Sequence, residues 1–155
     1  MDLKLLEAEL RRDEGVRPLP YKDTEGVNTV GVGHNLDAAP LPAGWKYPLS
    51  DAQMTQLLAQ DVSSTLAKLD RAVPWWRGMD EVRQRVVANV CFNLGIGSAA
   101  SGKGLLGFKK AVAAMQRGDF ATAAAEMKDS KWYRQVGQRS VRLCSAMLTG
   151  VMPSA

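Results

Sequence analysis

Cysteine, histidine and long apolar runs are all scarce in this chain of 155 residues. Its two cysteines, Cys91 and Cys144, cannot build a framework of several disulfides, and each stands in an apolar helical pattern, so we expect two buried free thiols. One histidine, His34, leaves no pair of ligands at metal spacing, and we expect neither a metal nor any other cofactor. No run approaches the roughly 18 apolar residues of a membrane-spanning helix, so no stable membrane insertion is expected.

The start of the chain also lacks the pattern of a secretory signal. Met1–Lys4 carry mixed charge, and four charged residues follow between positions 7 and 12, where a signal peptide would have an uninterrupted apolar segment. The sequence therefore predicts a protein that stays in the cytoplasm where it is made unless something releases it.

Charge is unevenly distributed along the chain. Residues 1–77 contain 9 basic and 11 acidic side chains, whereas residues 78–155 contain 11 basic and 5 acidic ones. The second half therefore has a net charge of +6, against −2 for the first half. A basic surface favours an anionic polymer as partner, and both nucleic acid and the bacterial envelope meet that condition.

Apolar periodicity predicts a mostly helical protein with one small sheet near the N-terminus. Ser50 and Gln53 form a capping box at the start of a long helix, Pro74 follows its end, and Asp80 caps the next helix. Helices are expected at 2–13, 50–72, 80–94, 107–117, 119–129 and 136–149.

The predicted sheet is a hairpin. Tyr21–Asp23 and Val27–Val32 are expected to be strands, joined by a turn at 24–26. Prolines and glycines predict that 37–49 is a loop, and five glycines predict the same for 95–107.

Two carboxyls and a hydroxyl lie around this hairpin. Glu14 is in the last turn of the first helix, where the peptide dipoles place partial negative charge and favour a neutral carboxyl. Asp23 stands beside turn amides and Lys22, which favour an anion. Thr29 is in the second strand. One neutral and one ionised carboxyl are what acid-assisted cleavage of a glycosidic bond requires.

The same segment resembles a known enzyme family. Three stretches carry the resemblance: Glu14-Gly15, Tyr21-Lys22-Asp23-Thr24-Glu25-Gly26 and Thr29-Val30-Gly31-Val32-Gly33-His34. Together they closely resemble the phage-type lysozymes, glycoside hydrolase family 24. The resemblance continues through 50–62, 89–95 and 130–142, so it covers nearly the whole chain.

The resemblance implies an α+β, mostly helical lysozyme-like fold. It implies a single domain over 1–155, with a small β lobe at 15–49, a connecting helix at 50–72, and a helical lobe made of 1–14 and 73–155.

The resemblance also implies an endolysin. Such a muramidase would hydrolyse the β-1,4 bond between N-acetylmuramic acid and N-acetylglucosamine in the glycan strands of peptidoglycan, with inversion. Glu14 would be the general acid, Asp23 the second carboxylate, and Thr29 a partner in placing the attacking water. We expect a monomer in the bacterial host cytoplasm that reaches the wall through a lesion made by a separate membrane protein.

Further positions take supporting roles from the same resemblance. It implies an ion pair between His34 and Asp61, and an Arg139 that faces Glu14. Asn35 and Asn93 are candidate substrate contacts, although the family has other residues there. Phe92 is a candidate for contacting sugar, with core packing as the alternative.

Some segments depart from the family pattern. Ala111 and Glu126 stand where the family offers polar, uncharged groups, 95–107 is longer, and 37–49 is shorter. These differences leave the peptide-stem preference open.

The large aromatic residues have two interpretations each. Trp132 and Tyr133 fit the core better than a substrate site, because large aromatic side chains dominate buried packing. Trp75 and Trp76 fit either packing or an exposed patch.

Three other functions fit parts of the sequence. A lytic transglycosylase cleaves the same bond with one catalytic acid, but Asp23 and Thr29 beside Glu14 favour water as the nucleophile. A helical nucleic-acid binder fits the basic second half, but its charges are spread along amphipathic helices rather than gathered in a run. A wall-binding module without turnover would not need the two carboxyls.

Overall fold

The computed structural model describes residues 1–154. Within them the chain forms seven α-helices and a three-stranded sheet, which confirms the predicted α+β, mostly helical class. The strands are β1 (Arg17–Lys22), β2 (Asn28–Gly31) and β3 (His34–Asn35). The helices are α1 (Leu3–Glu14), α2 (Asp51–Ala72), α3 (Glu81–Leu94), α4 (Lys109–Gln116), α5 (Phe120–Lys128), α6 (Lys131–Val136) and α7 (Gln138–Thr149).

The chain divides into two compact units, which are described separately. One unit is Leu3–Ser64, and the other is Met1–Asp2 together with the chain from Thr65 onward. The division falls inside α2, so this helix contributes residues to both.

The sheet of the first unit is antiparallel, in the order β1-β2-β3. Tyr21 lies opposite Thr29, and Val30 lies opposite His34. The first strand begins at Arg17, four residues before the predicted start. The prediction missed these residues because Pro18 and Pro20 disfavour a strand in the sequence. β1 is an edge strand, where proline is tolerated, and its register is irregular between Arg17 and Tyr21.

A small apolar core stabilises this unit. Val30 of β2, Leu49, Met54 and Leu57 of α2 are all buried against one another. The loop over 37–49 adds Leu41 and Trp45 to the same cluster, with Leu36 beside them. The loop has no regular secondary structure, as predicted, but it covers one side of the core.

The capping box at the start of α2 is confirmed. The Ser50 Oγ accepts a hydrogen bond from the Gln53 amide at 3.1 Å, and the Gln53 Oε1 accepts one from the Ser50 amide at 2.9 Å. These reciprocal bonds satisfy two amides that the helix itself leaves unpaired.

In the second unit α3 is almost completely surrounded by protein. Every residue from Gln84 to Cys91 is buried, and the Asp80 carboxylate caps the helix by accepting from the Arg83 amide at 3.1 Å. α7 packs on both α3 and α5. Both cysteines are buried and free.

Arg83 joins the beginning of α3 to the end of α7. Its Nε donates to the Met147 carbonyl at 2.7 Å, and its Nη2 donates to the Leu148 carbonyl at 3.0 Å. The guanidinium also lies 3.8 Å from the centre of the Phe120 ring. Because helix ends leave carbonyls unpaired, these bonds stabilise the last turn of α7.

The sequence analysis missed α6. Ser130 caps this helix by accepting from the Tyr133 amide at 3.1 Å, but only Lys131–Val136 are helical before Gly137 ends it. Six residues are too few for a helical periodicity to be visible in the sequence.

Three of the tryptophans now have a defined environment. Trp76 is completely buried and its Nε1 donates to the Asp70 carboxylate at 2.7 Å, whereas Trp75 is half-buried. Trp132 is buried. Among the helices of residues 1–154, none combines the length and the hydropathy needed to cross a bilayer.

Candidate active site

Glu14 is the last residue of α1. The Gly15 amide donates to the Arg11 carbonyl at 3.0 Å, and Gly15 adopts a φ of +79°, which turns the chain out of the helix and toward β1. The Glu14 side chain is half-buried and lies directly against the backbone of Gly33.

Asp23 is held by the turn that follows β1. Its Oδ1 accepts hydrogen bonds from the amides of Glu25 at 2.9 Å and Val27 at 2.8 Å. Backbone bonds between Asp23 and Val27 and between Gly26 and Asp23, both 3.0 Å, close the same turn. An aspartate that bonds amides further along its own turn is a common local structure, and here it fixes the carboxylate.

Thr29 is buried in β2. Its hydroxyl donates to the Val27 carbonyl at 2.8 Å, so the direction of its hydrogen is set. Its main chain pairs with Tyr21 of β1, which places the hydroxyl on the strand next to the one that leads into Asp23.

Tyr21 shows that Glu14 and Asp23 belong to one neighbourhood. Its pKa is raised first by burial and then by the negative charge of Glu14, with a further contribution from Asp23. Arg17 opposes this by lowering the pKa, and its guanidinium carbon lies 4.0 Å from the centre of the Tyr21 ring. The negative charge of both carboxylates therefore acts on the same phenol.

His34 and Asp61 make a direct contact in the same unit. The His34 Nδ1 lies 2.7 Å from the Asp61 Oδ2, and the Nε2 lies 2.7 Å from the Ala39 carbonyl oxygen. The bond to Asp61 is the main cause of a raised His34 pKa, the Ala39 carbonyl adds to it, and burial opposes it. The ring thus ties the end of the sheet to the middle of α2.

Asn35 is exposed next to this histidine. Its Oδ1 accepts from the amides of Asp37 and Ala38, both at 2.9 Å. The amide oxygen is therefore used within the turn, and the NH2 group of this exposed residue is a further donor.

Three predicted site residues lie in the other unit. Phe92 and Asn93 are half-buried on α3, and the Asn93 Oδ1 accepts from the Trp132 Nε1 at 3.0 Å. Arg139 is buried on α7, where its Nε donates to the Asn89 Oδ1 at 2.9 Å. Asn93 and Arg139 therefore already have structural partners within this unit.

This unit also contains a cavity of about 530 Å³. Phe108 and Trp132 lie in its wall as an edge-to-face pair, with ring centres 5.8 Å apart. The positions that depart from the family pattern, Ala111 and Glu126, also line it. Trp132 therefore belongs both to the core and to a cavity wall. The charged part of the lining is mixed, with lysines at 109, 110 and 131 and acidic residues at 126 and 129.

A family model for phage lysozyme matches residues 11–145 of the chain. The chain belongs to the phage lysozyme family. The matched region includes every candidate site residue from Glu14 to Arg139. Membership in the phage lysozyme family supports a lysozyme-like muramidase, which is a glycoside hydrolase.

Curated phage lysozyme relatives differ in their overall length. The pre-baseplate central spike protein Gp5 of Enterobacteria phage T4 is 30% identical in an alignment that covers 94% of this chain and 28% of Gp5. Two Dictyostelium discoideum proteins named "Probable T4-type lysozyme" 1 and 2 are 28% and 27% identical, and the alignments cover 92% of this chain and 93% of each. The chain thus spans about a quarter of the spike protein and nearly all of the other two.

Several residues of this region were not singled out by sequence reasoning. Tyr21 lies two residues before Asp23, but sequence reasoning names it only as a member of the quoted motif. Asn89, the partner of Arg139, stands between apolar residues of α3, where a buried asparagine is a signal that a polar partner exists.

Proposed function

We propose that this chain hydrolyses the β-1,4 bond between N-acetylmuramic acid and N-acetylglucosamine in peptidoglycan, with inversion at the anomeric carbon. The observation that carries the proposal is the placement of Glu14 against Gly33, of Asp23 in the turn after β1 and of Thr29 opposite Tyr21, in a member of the phage lysozyme family. A carboxyl pair with an adjacent hydroxyl supplies every group that an inverting glycosidase needs from its protein.

Glu14 is proposed as the general acid. The bond to the leaving sugar oxygen breaks readily only when that oxygen receives a proton. A half-buried carboxyl at the C-terminal end of α1, packed against the backbone of Gly33, is placed for this role.

Asp23 and Thr29 are proposed to place the water. Because the Thr29 hydrogen is directed at the Val27 carbonyl, the Oγ1 can only accept from a further partner. Within residues 1–154, the hydrogen bonds that Asp23 accepts both end on Oδ1, which leaves Oδ2 for a ligand. A water that donates to Thr29 Oγ1 and to Asp23 Oδ2 presents its lone pair to the sugar.

The proposed step balances in atoms and charge. The water oxygen bonds to the anomeric carbon and its proton passes to Asp23, while the proton of Glu14 passes to the leaving oxygen. Attack from the face opposite the leaving group inverts the configuration, and the carboxyls of inverting enzymes are roughly 6.5–9.5 Å apart to admit that water.

Substrate contacts remain proposals for Asn35, Phe92 and Asn93. The amide oxygens of Asn35 and Asn93 accept bonds inside the protein, so each would offer its NH2 group, for example to an N-acetyl carbonyl. Phe92 would offer an apolar ring surface to a sugar face.

The proposed biological role is cell lysis by an endolysin that acts on the wall from inside the host. Expression in bacteria should leave the culture intact until the membrane is permeabilised, after which turbidity should fall. Loss of turbidity without permeabilisation would contradict the need for a separate membrane lesion.

The enzymatic proposal is tested by turbidity loss of purified peptidoglycan. Glu14→Gln and Asp23→Asn should each abolish clearing while the circular dichroism spectrum is retained. Glu7→Gln, on the same helix, and Asp51→Asn, at an exposed carboxyl, are matched controls that should clear normally. Clearing by Glu14→Gln at the wild-type rate would refute the assignment.

Product analysis separates the two enzymes that cleave this bond. Hydrolysis leaves a reducing muramic acid end, and NMR during early turnover should show the α anomer. A 1,6-anhydro end would instead identify a lytic transglycosylase, and a β anomer would exclude inversion.

A further inference from the structure

Gly33 and Glu14 approach one another more closely than any side chain at position 33 would allow. A Cβ built on Gly33 would lie 2.9 Å from the Glu14 Cδ and 3.0 Å from both its Cγ and its Oε1. Carbon atoms that are not bonded to each other prefer separations of about 3.5–4.0 Å. The Glu14 carboxyl therefore occupies the space that a methyl group at position 33 would need.

The backbone conformation of Gly33 does not explain this contact. Gly33 has a φ of +63°, which favours glycine by itself. Gly15 and Gly44 also have positive φ, but a Cβ on either would meet nothing within 4 Å. Gly31, with a φ of +67°, would place its Cβ at an ordinary 3.5 Å from the Met54 Cγ.

The backbone at this position is held from its other side. The next residue, His34, is buried, and its ring bonds to Asp61 and Ala39, both at 2.7 Å. The chain at Gly33 therefore cannot move away without breaking these bonds. An added methyl group would displace the flexible end of Glu14 instead.

We propose that Gly33 is a positioning residue, whose bare backbone is the surface against which the Glu14 carboxyl is held in its catalytic place. That the position matters for turnover rests on the proposed function, whereas the packing of Glu14 on Gly33 does not. Moving the Glu14 side chain should cost little folding free energy, because its end is flexible. The same movement should lower the catalytic rate strongly, because the carboxyl must be placed accurately. A displacement of about 1 Å at a reacting group lowers a rate by roughly 100-fold.

The test compares Gly33→Ala with Gly31→Ala and Gly44→Ala. All three variants introduce alanine at positive φ and should lower the thermal midpoint, but only Gly33→Ala requires Glu14 to move. On soluble peptidoglycan strands, kcat of Gly33→Ala should fall about 100-fold with KM unchanged, while both controls retain the wild-type kcat. If Gly33→Ala does not fold, Gly33→Asn serves, since asparagine tolerates positive φ better and carries the same Cβ.

A second measurement does not depend on catalysis. The ¹³C chemical shifts of the Glu14 Cγ and Cδ should change in Gly33→Ala and stay at their wild-type values in Gly44→Ala. If the wild type does not cleave peptidoglycan, the proposed function fails. The chemical shifts would still test whether Glu14 packs against Gly33. Unchanged Glu14 shifts in Gly33→Ala, or a kcat equal to that of Gly31→Ala, would overturn the proposal.

Discussion

The His34 Nδ1 lies 2.7 Å from the Asp61 Oδ2 while its Nε2 lies 2.7 Å from the Ala39 carbonyl oxygen. Both neighbours are acceptors, so both ring nitrogens are satisfied only when each carries a hydrogen. The arrangement therefore stabilises the protonated form of His34. Neutral His34 would leave one buried ring nitrogen without a hydrogen opposite an acceptor.

Stability should fall as the pH rises above about 6.5, the ordinary pKa of histidine, and through the raised pKa of His34. The bond to Asp61 raises the pKa of His34 above its ordinary value of about 6.5. A raised folded-state pKa stabilises the fold fully below the unfolded value, and the contribution is lost as the pH rises through the folded one. His34→Asn should cost about 1.5–3 kcal/mol at acidic pH and less at alkaline pH, as measured by urea unfolding.

Asp37 supplies the control for this dependence. It is an exposed carboxyl two residues after β3, and its pKa is lowered by its bonds to Asn28, so its titration lies at acidic pH. Asp37→Asn should keep the alkaline loss of stability that His34→Asn removes. An equal slope in wild type and His34→Asn would disprove the assignment.

The two substitutions of Asp23 should differ in stability but not in activity. Asparagine retains an oxygen that accepts from the amides of Glu25 and Val27, whereas alanine leaves both amides without this acceptor. Asp23→Ala should lose about 1 kcal/mol of unfolding free energy more than Asp23→Asn. Both should be inactive on peptidoglycan, and equal stability would show that the turn does not depend on this oxygen.

Removal of the capping box should destabilise α2. Ser50→Ala deletes the acceptor of the Gln53 amide and should cost about 1 kcal/mol in chemical denaturation. Ser63→Ala, at an exposed position inside the same helix, should be neutral or slightly stabilising because alanine is the better helix former. A loss of equal size in both would point to something other than the cap.

Both thiols should be unreactive in the folded protein. Burial raises the pKa of Cys91 and of Cys144 to about 11, so only about one thiol in a thousand is ionised at pH 8. A thiol-specific chromogenic disulfide should therefore react slowly in buffer and with both cysteines in urea. Fast reaction of Cys144 in buffer would mean that the cavity of about 400 Å³ beside it admits the reagent.

The helices were largely predictable because their signals are local. The reciprocal Ser50–Gln53 bonds and the Asp80 cap follow from residue types at fixed spacing. β1 was only partly predictable, since it pairs with residues 6 to 14 positions away and two prolines obscure the edge strand. α6 lacked enough length for a periodic pattern.

The candidate site was predictable as a list of residue types rather than as an arrangement. The resemblance to the phage-type lysozymes singles out Glu14, Asp23 and Thr29, but their roles stay predictions. The closeness of Glu14 to Gly33 and of Tyr21 to both carboxyls depends on how the turns bring the strands back past α1. The sequence does not reveal whether a glycine is needed for its backbone conformation or for the close approach of a neighbouring side chain.

Arg83 links the start of α3 to the end of α7 by hydrogen bonds, although Arg83 and Met147 are 64 positions apart in the sequence. The last turn of a helix ordinarily frays. In α7, however, two carbonyls of the last turn accept hydrogen bonds from Arg83, which is in the first turn of α3. Amide protons near Met147 should therefore exchange with solvent together with the start of α3, as one opening event, and not independently from the chain end.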